Sequence, residues 1–178
     1  PRARKHDGGD RTDGHLKEAL AYIKKYKNRK KIAVLVSGDP GMYSLLGRIS
    51  KALKPKEYSV IPGISTVQLA FARIGEGWSD AKVISLHGRE PHSLADEIRI
   101  SPKVFLLTDP AFPPSKIARH LIEAGLENRR VVVLENLACP GERITDTDLK
   151  GATRSKTAGL SVMILERFER PAAARAGK

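Results

Sequence analysis

Short apolar runs alternate with stretches of helical periodicity along most of this chain. Each run is unbroken, which is typical of strands that are buried on both faces, as in parallel sheets. The predicted strands are residues 32–36, 58–61, 83–86, 104–108, 131–135 and 160–166. The predicted helices are residues 15–28, 42–53, 64–74, 93–100 and 115–122. This alternation predicts an α/β protein with mostly parallel sheets flanked by helices.

A linker-like stretch at residues 78–82 divides the pattern into two lobes. We expect an N-terminal α/β lobe over residues 1–78 and a C-terminal α/β lobe over residues 83–170, followed by a polar tail at 171–178. Residues 1–14 contain one alanine as their only apolar residue and are predicted to be disordered. Residues 143–155 are predicted to be turn-rich, with short extended pieces. A ligand is expected in a cleft bordered by the carboxyl ends of both sheets.

The first predicted strand ends in the sequence Ser37-Gly38-Asp39-Pro40-Gly41, a candidate binding loop. Its glycines permit backbone angles and close approaches that a Cβ atom would block, and the proline fixes one φ angle. The loop is either a ligand-binding loop at a strand end or a plain strand-to-helix turn. Asp39 accordingly has two interpretations: a polar contact near a ligand, or an Asx-turn with its own backbone.

The charge of the chain narrows the classes of partner. The net charge is +12, and residues 1–31 hold eleven Lys/Arg against four Asp/Glu. Such basicity favours nucleic acid, a membrane surface or a polyanionic small molecule, or reflects only a solvated face. Aromatic residues make up only 5% of the chain and do not interleave with the basic residues as a stacking surface would require. No apolar run approaches the ~20 residues that span a bilayer.

Three segments together carry a family resemblance. They are SGDPGMYS at residues 37–44, IPGISTVQLAFAR at 61–73 and SLHGR at 85–89. The chain resembles the S-adenosylmethionine-dependent tetrapyrrole methylases of corrin biosynthesis, and most of all the branch that methylates carbon 5 of cobalt-precorrin-7. That family opens with a strand and a Gly-x-Gly-Pro-Gly loop, which this sequence lacks. The first lobe is therefore expected to be incomplete.

The resemblance implies a set of site residues. The cofactor, S-adenosyl-L-methionine, is expected to contact the loop after the first strand, the start of the helix predicted over residues 64–74, and two strand ends of the second lobe. His87 and Arg89 are expected to bind substrate; no metal is expected, and no catalytic residue is assigned. The implied cofactor-binding residues are Ser37, Gly38, Asp39, Pro40, Gly41, Tyr43, Ile64, Ser65, Thr66, Thr108, Asp109, Leu137 and Ala138.

The implied partners are a carboxylated tetrapyrrole substrate and a second copy of the chain, without nucleic acid or membrane, in the cytoplasm. The positive net charge would attract the carboxylates of such a substrate and raise its local concentration. Two alternatives remain open at this stage. One is a methyltransferase of the same fold that acts on RNA or protein, and the other is a non-catalytic basic binding protein.

Overall fold

The computed structural model describes residues 10–87, 93–157 and 160–168. The chain divides into two compact units, with bounds Pro1–Ser65 and Thr66–Lys178. The first unit contains helix α1 (Asp10–Tyr26), helix α2 (Leu46–Ala52) and a 3-10 turn at Pro55–Glu57. Residues 10–14 were predicted to be disordered, but in the structure they begin α1. The rest of that predicted segment, residues 1–9, lies outside the described residues, as do residues 169–178.

Two predicted strands of the first unit are not strands in the structure. Residues 32–36 and 58–61 are irregular, and Leu35 and Ile61 are 91% and 82% exposed. An extended segment becomes a strand only when a neighbour supplies ladder hydrogen bonds, and neither run pairs with any residue that the structure describes. The apolar content of these runs was read correctly, but it did not determine their structure.

The second unit is a mixed α/β layer structure. Its helices are α3 (Thr66–Ile74), α4 (Leu94–Ile100), α5 (Pro114–Glu123) and α6 (Leu149–Ala152). Its strands are β1 (Lys82–Ser85), β2 (Lys103–Leu107), β3 (Arg129–Glu135), β4 (Arg143–Asp148) and β5 (Ser161–Arg167), in the sheet order β1-β2-β5-β3-β4. The predicted α/β class is confirmed. Strand β4 lies in the stretch that was expected to be turn-rich with short extended pieces.

The prediction of a mostly parallel sheet is wrong for this unit. Only β1 and β2 pair in parallel, whereas β5 pairs antiparallel with β2 and β3, and β4 pairs antiparallel with β3. Because β5 runs opposite to both of its neighbours, β1, β2 and β3 all point the same way. Their carboxyl ends therefore share one edge of the sheet, and β5 begins at that edge.

Both faces of this sheet are covered, which explains the unbroken apolar runs. One face packs against α4, α5 and α6 through Val104, Leu106, Val131, Val133, Met163 and Leu165, all at most 1% exposed. On the other face Phe105 lies 6.1 Å, centroid to centroid, from Phe71 of α3. The helices thus fix the sheet from both sides, so its loop-bearing edge rests on a rigid support.

Arg130 is the centre of an ion-pair network on the α3 face of the sheet. Its Nη1 donates to Glu76 at 2.6 Å and to Glu166 at 2.8 Å, and its Nη2 donates to Asp146 at 2.7 Å. Three carboxylates from different elements therefore converge on one guanidinium, in the forked geometry that arginine favours. The network joins the loop after α3 to strands β3, β4 and β5.

We expect Glu76→Gln to destabilise the protein by about 1 kcal/mol near neutral pH, because one charge-assisted bond to Arg130 is lost. Burial alone would raise the pKa of Glu76, but the hydrogen bond from Arg130 and the positive charge of that residue leave the pKa below its ordinary value of 4.5. A lowered folded-state pKa stabilises the fold above 4.5 and ceases to do so as the pH falls through the folded value. Urea unfolding of both proteins should show the difference shrinking below pH 4.5; a difference that stays constant with pH would contradict this.

Candidate functional site

In the first unit, Asp39 holds two loops together. Its Oδ1 accepts a hydrogen bond from the N–H of Gly41 at 2.8 Å, which is the Asx-turn, one of the two interpretations drawn from the sequence. Its Oδ2 accepts a bond from the N–H of Gly63 at 3.2 Å, across 24 residues of chain. The carboxylate therefore shapes the binding loop and also fixes it against residues 62–64. Both of its oxygens are engaged in this way.

The close approach of these loops requires glycine. A Cβ atom on Gly63 would lie 2.4 Å from the carbonyl oxygen of Gly38, well inside contact distance. Gly38 itself has a φ of +70°, in the left-handed region that glycine adopts without strain. Backbone thus packs on backbone where Gly63 meets Gly38. Close backbone approaches of this kind can present main-chain groups to a ligand.

Other implied cofactor residues continue from this loop. The carbonyl of Pro40 accepts the N–H of Leu46 at 3.2 Å, which leads the loop into α2. Ser37 is exposed, and Tyr43 has a φ of 47° and is 52% exposed.

The predicted helix start at residues 64–66 is confirmed. Helix α3 begins at Thr66, the preceding Ser65 is buried, and Ile64 is 72% exposed. The N–H groups of a helix's first turn have no partner within the helix and carry partial positive charge. They can bind a carboxylate such as that of the methionine part of the expected cofactor.

The second unit brings its predicted site residues to one edge of the sheet. Thr108 and Asp109 follow β2, and Leu137 and Ala138 follow β3, so both pairs lie where these strands end. The hydroxyl of Thr108 donates to the carbonyl of Ser161 at 2.6 Å, which ties the end of β2 to the start of β5. Asp109 closes an Asx-turn by accepting the N–H of Ala111 at 2.8 Å. This edge is where sheets of this kind bind ligands.

The peptide groups of Leu137 are available to a ligand. Neither its N–H nor its C=O bonds to any residue that the structure describes, although the adjacent Ala138 donates its N–H to Glu142 at 2.7 Å. An adjacent main-chain donor and acceptor match the ring nitrogen and amino group on one edge of adenine. The residues at this edge therefore fit the adenine part of the expected cofactor.

The expected substrate residues are only partly described. His87 follows β1 at the same edge and is exposed, with its Nδ1 3.4 Å from the hydroxyl of Ser85. Arg89 lies outside the described residues. Within residues 10–87, 93–157 and 160–168, no group of three or more His, Cys, Asp or Glu side chains could hold a metal ion. None of the helices in that same part of the chain is long and apolar enough to cross a membrane.

Sequence reasoning missed several residues around this edge. Arg73 and Glu142 form an ion pair beside the loop after β3, and buried Glu135 accepts a bond from Arg143 at 2.7 Å. Ser161 was assigned only as part of a strand. A buried glutamate that ends an apolar strand is the one local signal, because such a carboxylate needs a cationic partner.

Comparison with solved structures places the chain in the methyltransferase class. The precorrin-6Y methylase of Archaeoglobus fulgidus superimposes with a TM-score of 0.59 at 25% identity, over 94% of this chain and 75% of that one. The fold is also shared with a uroporphyrin-III C-methyltransferase of Thermus thermophilus complexed with S-adenosylhomocysteine (TM-score 0.64, 17% identity, 84% of this chain and 72% of that one).

The chain belongs to the tetrapyrrole (corrin/porphyrin) methylase family, whose sequence pattern matches residues 2–153. A probable cobalt-precorrin-7 C(5)-methyltransferase of Methanocaldococcus jannaschii is 34% identical over 157 residues, which is 86% of this chain and 72% of that protein. Shorter matches to further relatives, over 113 to 115 residues, cover 28 to 56% of their lengths.

Proposed function

We propose that this protein is an S-adenosylmethionine-dependent methyltransferase of corrin biosynthesis that methylates carbon 5 of precorrin-7 or its cobalt form. The observation that carries this proposal is the sheet edge where Thr108, Asp109, Leu137 and Ala138 meet, with the Leu137 peptide groups unpaired among the described residues. The 34% identity to a relative named for this reaction supports the choice of substrate.

The chain's own residues bind and orient rather than react. In the first unit, the loop held by Asp39 would offer main-chain groups to the cofactor. In the second unit, the loop after β3 would bind its adenine. The cofactor supplies an activated methyl group, so catalysis can rest on placing an electron-rich substrate carbon in line with it and on excluding water.

The substrate we propose is a carboxylated tetrapyrrole. The net charge of +12 would raise the local concentration of such a polyanion, and His87 lies at the same sheet edge as the proposed adenine site. We also propose that Arg89 pairs with a substrate carboxylate and that the protein works as a homodimer in the cytoplasm. Analytical ultracentrifugation would test the dimer directly.

The basic helix α1 supports an RNA substrate less well than its charge alone would suggest. Its two aromatic rings, Tyr22 and Tyr26, lie 4.6 Å apart, and the ammonium of Lys30 lies 5.8 Å and 4.8 Å from their centroids. Rings that already contact each other and a lysine are less available for base stacking. The names of the curated relatives likewise favour the corrin reaction over an RNA or protein substrate.

We expect S-adenosylhomocysteine to bind the full chain, and Asp39→Ala to weaken that binding about tenfold because the loop loses both bonds to the carboxylate. Calorimetric titration measures both affinities. Asp96→Ala is the matched control, because it removes a carboxylate that is 83% exposed on α4.

A wild-type chain that binds no S-adenosylhomocysteine would overturn the proposed function. Equal affinity of Asp39→Ala and wild type would remove Asp39 from the site but leave the function standing. Transfer of labelled methyl to precorrin-7 in its metal-free and cobalt forms then decides between the two substrates.

A further inference from the structure

The loop between β3 and β4, residues 136–142, has an unusual backbone. Asn136 and Ala138 have φ angles of 50° and 59°, in the left-handed region that L-residues rarely adopt. Asparagine enters this region with help from its polar side chain, but alanine has no such help. The conformation at Ala138 must therefore be imposed by bonds from its surroundings.

Those bonds come from one ion pair. The N–H of Ala138 donates to Glu142 Oε2 at 2.7 Å. The same carboxylate is paired with Arg73 of α3. The Nε of Arg73 donates to Oε1 at 2.6 Å, and its Nη2 donates to Oε2 at 3.4 Å. The guanidinium thus fixes the carboxylate, and the carboxylate fixes the peptide N–H.

Fixing that N–H also fixes the carbonyl next to it. The N–H of Ala138 and the C=O of Leu137 belong to one planar trans peptide, so they point in opposite directions. With the N–H directed at Glu142, the Leu137 carbonyl is directed away from the ion pair. That carbonyl accepts no hydrogen bond from the described residues, so it is free to accept one from a ligand.

We propose that Arg73 and Glu142 are positioning residues that orient the Leu137 carbonyl to accept a hydrogen bond from the amino group of the cofactor's adenine. This inference rests on the proposed function, because it needs the adenine to lie at that loop. The pair acts through the backbone and does not touch the ligand itself.

The charges of the pair fit this role. Arg73 holds the pKa of Glu142 below its ordinary value, and the Ala138 N–H lowers it further, so the carboxylate stays ionised at neutral pH. The side chains are 41% and 25% exposed, and ion pairs so open to solvent contribute little to overall stability. Removing the pair should therefore change ligand recognition much more than it changes the fold.

The decisive experiment compares two ligands that differ at the adenine amino group. S-adenosylhomocysteine can donate from that group, whereas S-inosylhomocysteine carries a carbonyl there and cannot. We expect wild type to prefer the adenosyl ligand by about tenfold or more, as one ligand hydrogen bond to an oriented carbonyl predicts. Glu142→Ala and Arg73→Leu should lose most of this preference, and Arg73→Lys should retain part of it. Calorimetry gives the affinities, and thermal unfolding should show little change.

Lys82→Leu is the matched control, since it breaks a comparably exposed ion pair with Glu97, 2.9 Å long, away from this loop. It should keep the wild-type preference. If the variants discriminate as wild type does, or if wild type binds both ligands equally, the positioning role is overturned while the proposed function stands. If wild type binds neither ligand, the proposed function and this inference fail together.

Discussion

Replacing Gly63 with alanine is expected to reduce the affinity for S-adenosylhomocysteine by well over tenfold. The new Cβ atom would lie 2.4 Å from the Gly38 carbonyl oxygen and 3.1 Å from its carbon, so the two loops must move apart. Both obstacles are backbone atoms, which cannot rotate out of the way as a side chain can. Separation also breaks the bond from the Gly63 N–H to Asp39, the contact that ties the loops together.

Gly47→Ala is the matched control for this substitution. Gly47 lies in α2 of the same unit, and a Cβ atom there would meet nothing within 4 Å. Alanine at a helical site with free space should stabilise the protein by about 0.5–1 kcal/mol and leave binding unchanged. Calorimetric titration and circular dichroism of both variants separate loop displacement from loss of fold. Wild-type affinity in a folded Gly63→Ala protein would show that this loop contact does not shape the cofactor site.

Arg129→Met is expected to lower the free energy of unfolding by about 3 kcal/mol, because it removes a buried group that satisfies several carbonyls. Arg129 is 4% exposed, and its Nη2 donates to Ile98 at 2.6 Å and its Nη1 to Ser101 at 2.8 Å. These carbonyls belong to the end of α4 and the turn into β2. Methionine would fill the space of the arginine but would not donate hydrogen bonds to these carbonyls. Burying carbonyls at a helix end without donors costs folding free energy.

Urea unfolding measures this loss of stability. If the slope of the unfolding free energy against urea concentration is the same in both proteins, the two free energies can be compared directly. Arg119→Met is the control for removing a positive charge, since Arg119 lies exposed on α5. Arg129→Lys should also destabilise, because one ammonium would replace the two guanidinium nitrogens that bond these carbonyls. If Arg129→Met lowers the free energy of unfolding by an amount within about 0.5 kcal/mol of the change in Arg119→Met, the structural role of Arg129 is contradicted.

Local rules predicted those parts of the site that depend on neighbouring residues. The Asx-turn at Asp39 needs only the two residues that follow it, and the start of α3 needs only a suitable residue before Thr66. Both are visible in a short stretch of sequence. The α/β class was predictable as well. The alternation of apolar runs with helical periodicity indicates this class even when individual elements are assigned wrongly.

Features that depend on distant partners were not predictable in this way. Residues 32–36 have the composition of a buried strand, yet no ladder partner for them occurs among the described residues. Strand β4, with the sequence RITDTD, looks like a turn because Asp is depleted in strands, yet it pairs with β3 and Arg130 contacts Asp146 across the two strands. The apolar run of β5 resembles a parallel strand because both of its faces are covered, and composition does not encode direction.

The same limit applies to the ion pair beside the adenine loop. Arg73 and Glu142 are 69 residues apart, and each has the sequence context of an ordinary surface charge. Only the structure reveals that they meet at an alanine with a left-handed backbone. Their role depends on a geometry that no local pattern expresses.

The central position of β5 has a consequence for how the protein is made. During synthesis, β2 can pair only with β1, and β3 only with β4, until residues 161–167 have left the ribosome. The pairings of β5 with β2 join residues 55 or more positions apart, such as Leu107 with Val162, and such long-range contacts form slowly. A nascent chain paused before this strand would expose two apolar strand edges, which are sites of intermolecular pairing. Release of β5 therefore joins two separate strand pairs into one sheet and covers these exposed edges.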